Sequence, residues 1–552
     1  MKKIFFSITA LVAGLFLLSS CSDFLKESPK SSLTYQDYFK SEAHILGNLN
    51  YLYRTGAPTQ FASTGAYDCS TVAYTSLLTG YFFDAYEGQE LAALYSRTLR
   101  RQEKTQNISE DMDGIWDGCY RVINNCNGIL EALPGLVEDG AVTSAKADQY
   151  EGEARFFRAF NYMMLVKFFG DVPRNDNFYT DLTQDTDLPR TPKSEILTLI
   201  QSDLTTAAAK LPDAKFADNG HRITRWTAEA ALTDILFWQG NYSAAATEAK
   251  KIIASGKAAL AKNENTTDKS AYNQLRTTDD LDEVLYAYEF DASISTNSYT
   301  PTHAFDGQAV TLSDKYAIYE RCFGPINLYL NVYEDSDLRI QPNQFFHWEF
   351  TSPDGSNSWK PQPWTTGGPV DLGGETNIDF NGYGYNYPGN WYYYDETAIF
   401  STGQGAKDWN LYRYAEILLD AAESIAQSSG VNAEAAGYLA QVRSRAAGKT
   451  VDALTTELQA LGKDAFIQEC WKERLREFPF EYKIWDDCVR TGKFPQISKT
   501  ERGKVDFVTL IGAKTPSGAT ITENDLLWPI SLNEMQRNPN LRPQNPGYQD
   551  AK

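Results

Sequence analysis

Aromatic rings stand beside hydrogen-bonding side chains at three places in this 552-residue sequence. The first is Tyr81-Phe82-Phe83-Asp84-Ala85-Tyr86-Glu87. The second runs from Tyr316 through Tyr319 to Arg321, with Trp348, Trp359 and Trp364 further on. The third is Asn390-Trp391-Tyr392-Tyr393-Tyr394-Asp395. A sugar ring offers a flat C–H face and equatorial hydroxyls. Aromatic rings supply the apolar platform for it, and Asn, Asp, Arg and Gln supply the hydrogen bonds. The same rings can equally hold an apolar peptide side chain. Tyr81, Phe82, Tyr86, Tyr316, Tyr319, Arg321, Trp359, Trp364, Asn390, Trp391 and Tyr393 are therefore the candidate ligand-binding residues.

Catalytic and metal chemistry find no pattern. The 72 acidic residues guarantee chance carboxylate pairs, but no catalytic motif accompanies any of them. His44, His221, His303 and His347 fall in no ligand spacing. Beyond Cys21, the cysteines are Cys69, Cys119, Cys126, Cys322, Cys470 and Cys488, and none forms a CxxC pair. Cys119 and Cys126 on one helix would stand ~10 Å apart along its axis, too far for a disulfide. Most of the six read as buried free thiols. The sequence thus predicts a binding protein with no enzyme activity, cofactor or metal.

The net charge of −21 repels phosphate backbones, so a nucleic-acid partner is disfavoured. Neutral sugars meet no such penalty, and cationic peptides would be attracted. At 42% hydrophobic and 22% charged residues, the chain has an ordinary globular balance.

The chain starts as a secretory signal does: Lys2 and Lys3, then an apolar stretch from Ile4 to Leu18. It ends Leu18-Ser19-Ser20-Cys21, which resembles a bacterial lipobox. Cys21 is the expected lipidation site, and two or more acyl chains anchor a protein stably. Ser22 to Thr34 reads as a tether.

The elements that must position the three aromatic clusters are mostly helical. From Tyr35 to Gly256 the pattern is helix. Tyr150–Phe169 is expected to be central and mostly buried, since apolar residues occupy more than one face. Trp226–Gln239 and Tyr242–Ser255 form a pair whose joint, Gly240-Asn241-Tyr242-Ser243-Ala244-Ala245, resembles the tetratricopeptide G-x-Y-x-x-A turn. Leu411–Ala426 and Ala433–Ala447 suggest a second pair. Between them Glu283–Phe290 alternates like a strand. Segments dense in Gly, Pro, Asn and aromatics follow, and loops this long in a compact domain are usually functional. Helix is expected from Asp408 to about Arg490, then an irregular tail.

Six blocks in order carry a family resemblance. They are Arg158-Ala159-Phe160 through Phe169-Gly170-Asp171-Val172-Pro173, Arg222-Ile223-Thr224-Arg225-Trp226 with Gly240-Asn241-Tyr242, and Tyr412-Arg413-Tyr414-Ala415-Glu416. The others are Val442-Arg443-Ser444-Arg445-Ala446, Glu473-Arg474 with Trp485-Asp486-Asp487, and Trp528-Pro529-Ile530 with the Asn-Pro-rich terminus. Together they resemble the SusD/RagB family of nutrient-binding lipoproteins. The chain departs from that pattern at Glu477–Tyr482, where the family usually has a glycine, at Lys483 in place of an arginine, and at Ser531 in place of a proline.

The resemblance implies a mainly α fold of tetratricopeptide-like helix pairs, with a loop-rich ligand-binding region and a few short strands. In domain terms it implies a signal peptide over 1–20, a tether over 21–34 and one SusD-like domain over 35–552. Within it, 35–260 is helical, 261–407 is the loop-rich ligand-binding insertion, and 408–552 is helical with an irregular tail. It implies an oligosaccharide ligand, a SusC-like TonB-dependent transporter as partner, and a lipid-anchored place on the outer membrane facing the exterior. The RagB branch suggests peptide capture as the alternative. The shared Arg158, Arg225, Glu416 and Glu473 read as framework ion pairs.

Overall fold

Helix after antiparallel helix builds the frame. The computed structural model describes residues 38–62, 70–83, 101–180, 186–294, 323–347, 350–351, 358–359, 389–399 and 402–548. The leader with Cys21 lies outside them, as do Cys69, Cys322, Tyr86, Tyr316, Tyr319, Arg321, Trp348 and Trp364.

We label the principal helices α1 (Glu42–Leu52), α2 (Arg101–Glu138), α3 (Ser144–Phe169), α4 (Lys193–Lys210), α5 (Arg225–Trp238) and α6 (Tyr242–Ser255). The C-terminal set is α7 (Tyr414–Ser429), α8 (Ala433–Ala447), α9 (Val451–Gln459), α10 (Lys463–Glu477) and α11 (Ile484–Thr491). From α2 to α9 each helix packs on the next, and α10 returns against α7. Among the described residues no helix is long and apolar enough to cross a membrane.

Helix α3 begins six residues earlier than expected because Thr143 caps it, accepting the Lys146 amide. It is buried around its circumference from Phe156 to Val166. Its Arg158 grips Asp203 of α4 through two nitrogens, 2.7 and 2.8 Å long. At the α5–α6 joint Gly240 takes φ +74°, which lets the chain reverse. Tyr242 meets Phe237 edge-on at 6.0 Å, and Ala245, Ala246 and Ala249 are buried in the close approach.

Two expectations are corrected. The helix read from Leu411 is a strand first: β2 (Trp409–Arg413) pairs antiparallel with β1 (Val284–Tyr288), and α7 starts only at Tyr414. Trp409, Leu411 and Tyr412 suit a strand buried along its whole length, and Arg413 at its end forms an ion pair with Glu283, just before β1. The tail is less irregular than read. β3 (Lys493–Ile497) and β4 (Val505–Thr509) form a five-pair hairpin, and Leu532–Arg537 is a short helix.

Cys119 and Cys126 lie on α2, and with Cys470 and Cys488 they are buried free thiols. Burial pushes all four thiols up.

Candidate functional site

Three two-residue ladders hold the roots of the aromatic-rich loops. Phe82–Phe83 pairs with Gly324–Pro325, Phe346–His347 with Gly389–Asn390, and Phe350–Thr351 with Ser358–Trp359. Ladders this short have little strength of their own, so side chains must fix them.

Rings do so. Phe82 stacks on Phe323 at 5.0 Å and 4°, and Phe323 meets Tyr482 edge-on at 5.1 Å. Tyr482 stacks on Trp409 at 5.0 Å, and Trp409 stacks on Tyr393 at 4.7 Å. Phe480 packs against Phe345, Phe346, Tyr392 and Tyr393. The segment after α10 is thus the hub where the first two of these roots meet. Here the departure at Glu477–Tyr482 acquires a physical content. Tyr482 holds φ +58°, a conformation free to glycine and costly for an aromatic residue.

Arginines in the core support the same hub. Arg413 binds Glu283 at 2.6 Å, Glu477 at 3.1 Å and Glu481 at 2.6 Å, with its side chain fully buried. Arg445 binds Glu283 and Glu477, and Arg339 binds Asp337, Glu473 and Glu477. Burial alone would raise the Glu473 carboxyl, but Arg339, Arg443 and Arg476 outweigh it and hold it down at about 2. Glu416 meets Lys483 at 3.0 Å and Arg474 at 3.7 Å. Arg225 is looser, 3.8 Å from Glu229 and resting over Trp226.

The candidate residues separate into three groups. Tyr81 and Phe82 are buried: the Tyr81 hydroxyl donates to the Pro495 carbonyl at 2.7 Å and accepts from the Ile497 amide at 3.2 Å. Tyr393 is buried and donates to the Phe480 carbonyl at 2.8 Å. Asn390 is buried, its Oδ1 accepting the Tyr393 amide at 3.3 Å. In this conformation these four are packed into the frame. Their signal was right in kind, because aromatic density marked the loop roots, but one-dimensional spacing does not separate a ring in the root from a ring in the face.

Trp391 differs, being half-buried. Its ring stacks on Tyr394 at 4.5 Å and 15°, and its Nε1 donates to Asn273 Oδ1 at 2.8 Å. The Arg276 guanidinium stands 4.5 Å from the indole centroid and donates to the Tyr394 carbonyl at 2.9 Å. Trp391, Tyr394 and Arg276 form a fixed ledge of ring edge and guanidinium beside the loop roots. Arg276 and Asn273 went unread in the sequence, since Ala271–Thr277 shows no motif and only the tertiary fold brings it beneath Trp391. The remaining candidates, Tyr86, Tyr316, Tyr319, Arg321, Trp364 and the Trp359 side chain, fall outside the described residues.

A titrating cluster lies where the strands enter this region. His221 contacts Glu289 at 2.6 Å and Asp280 at 2.8 Å. Asp408 Oδ1 accepts the Phe290 amide at 2.6 Å. Burial, then the nearby Glu289 and Asp279 carboxylates, push the Asp408 carboxyl up to about 8.

Residues 219–548 match the model of the SusD family, and residues 23–236 match a family described as starch-binding and associating with the outer membrane. The chain belongs to the SusD family. SusD-like protein P2 of Formosa agariphila is 26% identical to it, over 99% of this chain and 100% of that one. SusD-like protein P38 of the same organism is 24% identical over 98% and 99%. A SusD superfamily protein from Parabacteroides distasonis superposes with a TM-score of 0.72 at 24% identity, covering 94% of this chain and 100% of that one. Surface glycan-binding protein A from Bacteroides uniformis superposes with a TM-score of 0.63 at 19% identity, over 92% and 100%. These likenesses bear out the mainly helical SusD-like fold read from the six blocks.

Proposed function

We propose that this SusD-family chain is a lipid-anchored protein of the outer-membrane surface. It captures oligosaccharides and hands them to a SusC-like TonB-dependent transporter. The observation that carries this reading is the tandem family match over 23–548, its first half to a starch-binding group. The lipobox at Cys21 and the ledge at Trp391 support it.

In this reading the frame holds the loops and the loops hold the sugar. The Trp391 and Tyr394 rings take the C–H face of a pyranose, while Arg276 and the polar side chains of the loops take its hydroxyls. Trp359, Trp364, Tyr86, Tyr316, Tyr319 and Arg321 are proposed as further contacts on the loops that the ladders close. The protein binds and does no bond-breaking chemistry.

A glycan array probed with the full chain, beside a peptide library, tests the reading. Retention of one or more oligosaccharides and of no peptide is expected. Retention of cationic peptides alone would replace it with peptide capture. Mass spectrometry of the membrane-extracted protein should find diacylglycerol on Cys21, and an unacylated mature chain would remove the anchor from the proposal.

A further inference from the structure

Among the described residues, the two large aromatic side chains most open to solvent are not at the loop roots. Tyr38 and Tyr51, 45% and 38% exposed, both flank one groove of about 740 Å³ between α1 and α2. Exposed rings that converge on one hollow are a binding signature rather than scattered surface apolarity.

The groove is built rather than accidental. Its α1 side presents Ala43, Gly47 and Tyr51 at four-residue intervals, one stripe of the helix. A Cβ at Gly47 would meet no described atom within 4 Å, so the floor is open there. Phe178 forms the far wall and is fixed edge-on to Phe39 at 4.9 Å. Asn124 clamps the next residue, donating to the Tyr179 carbonyl at 3.0 Å and accepting its amide at 2.8 Å.

Some of its polar groups are unspent. The side chains of Arg121 and Asn125 of α2 make no hydrogen bond or ion pair among the described residues, and His44 Nδ1 is buried with no partner. In a chain with 72 acidic residues, no carboxylate lines this groove. A cationic peptide would find nothing there to pair with.

We infer that the α1–α2 groove is a second saccharide-binding site, separate from the loop face. Tyr38, Tyr51 and Phe178 would supply platforms for a sugar's C–H faces. Arg121 and Asn125 would meet a hydroxyl or carboxylate on it. No loop-root residue lines the groove, so the two sites sit on different elements.

The test uses the full chain in detergent with maltohexaose as the neutral probe and hexagalacturonate as the acidic one. Hydrogen exchange is followed in peptides covering 42–52 and 116–125. One or both probes are expected to slow exchange there, and Tyr51→Ala or Arg121→Ala to weaken that effect by about 5-fold in apparent affinity. Both side chains are at the surface of their helices, so neither variant should unfold. Slowing by maltohexaose and by hexagalacturonate tells a hydroxyl from a carboxylate partner for Arg121. If neither probe slows exchange in these helices, or if both variants respond as the parent does, the groove is not a saccharide site. Slowing confined to 345–347 and 389–394 also overturns it while leaving the loop-face proposal standing.

Discussion

The helical frame and the loop roots are both buried, yet different forces hold them. In the frame, side chains of opposite charge are matched across helices: Arg158 with Asp203, Arg474 with Asp487 at 2.8 Å, Arg490 with Glu423 at 2.8 Å. At the roots, rings stack from Tyr393 through Trp409 and Tyr482 to Phe323 and Phe82. Ion pairs demand one geometry, because an unpaired buried charge is costly. Stacked rings tolerate sliding and tilting at small cost. The contrast sets a frame that admits one arrangement beside roots that admit small adjustments.

Arg413 sits where the two regions meet, and removing it should have the largest effect. Arg413→Ala leaves Glu283, Glu477 and Glu481 short of a cation in the core, and a loss of about 3–5 kcal/mol in denaturant unfolding is expected. A loss below about 1 kcal/mol would mean the ionic side of the comparison is wrong.

Trp391→Ala should show the opposite profile. Glycan affinity measured by calorimetry should fall by about 10-fold, while the melting temperature stays within about 2 °C. Unchanged affinity would remove the ledge from the ligand face.

Tyr482 sharpens the ring side. Tyr482→Gly loses the stack but gains a residue at ease with φ +58°, whereas Tyr482→Ala loses the stack and keeps the strain. Tyr482→Gly should therefore be the more stable of the two by about 1 kcal/mol, the reverse of the usual order. If alanine is the better replacement, the left-handed backbone costs nothing there.

The smallest effect is expected in the pH dependence. Asp408, raised from the usual 3.8 to about 8, stays protonated in the folded chain over a range where the unfolded chain has released that proton. The folded state thus binds more protons between about pH 4 and 8, and this contribution to stability falls as pH rises through that window. Asp408→Asn should flatten the slope between about pH 4 and 8. A slope unchanged from the parent would assign it to other groups, Glu289 first.

Much of the frame was legible from local pattern. Tyr242–Ser255 and Ala433–Ala447 were read to the residue, because Gly256 and Gly448 stop them in left-handed turns. Trp409–Arg413 was misread as helix because Tyr412 and Leu411 continue the apolar run of α7. Nothing local says that Val284–Tyr288 will arrive to pair with them. At the site, the stretch Asn390–Asp395 was found, but Asn390 and Tyr393 proved to face inward while Trp391 and Tyr394 form the ledge.

What the sequence determined by itself was therefore the run of helix pairs, the family and the places where rings concentrate. These depend on short-range periodicity, capping and ordered motifs. Only the tertiary structure decided which ring is a pillar and which a platform, and that Asn273 stands under Trp391, 118 residues away along the chain, with Arg276 beside it. Burial and contact are properties of packing between distant segments, and a ring's type and spacing do not encode what will cover it.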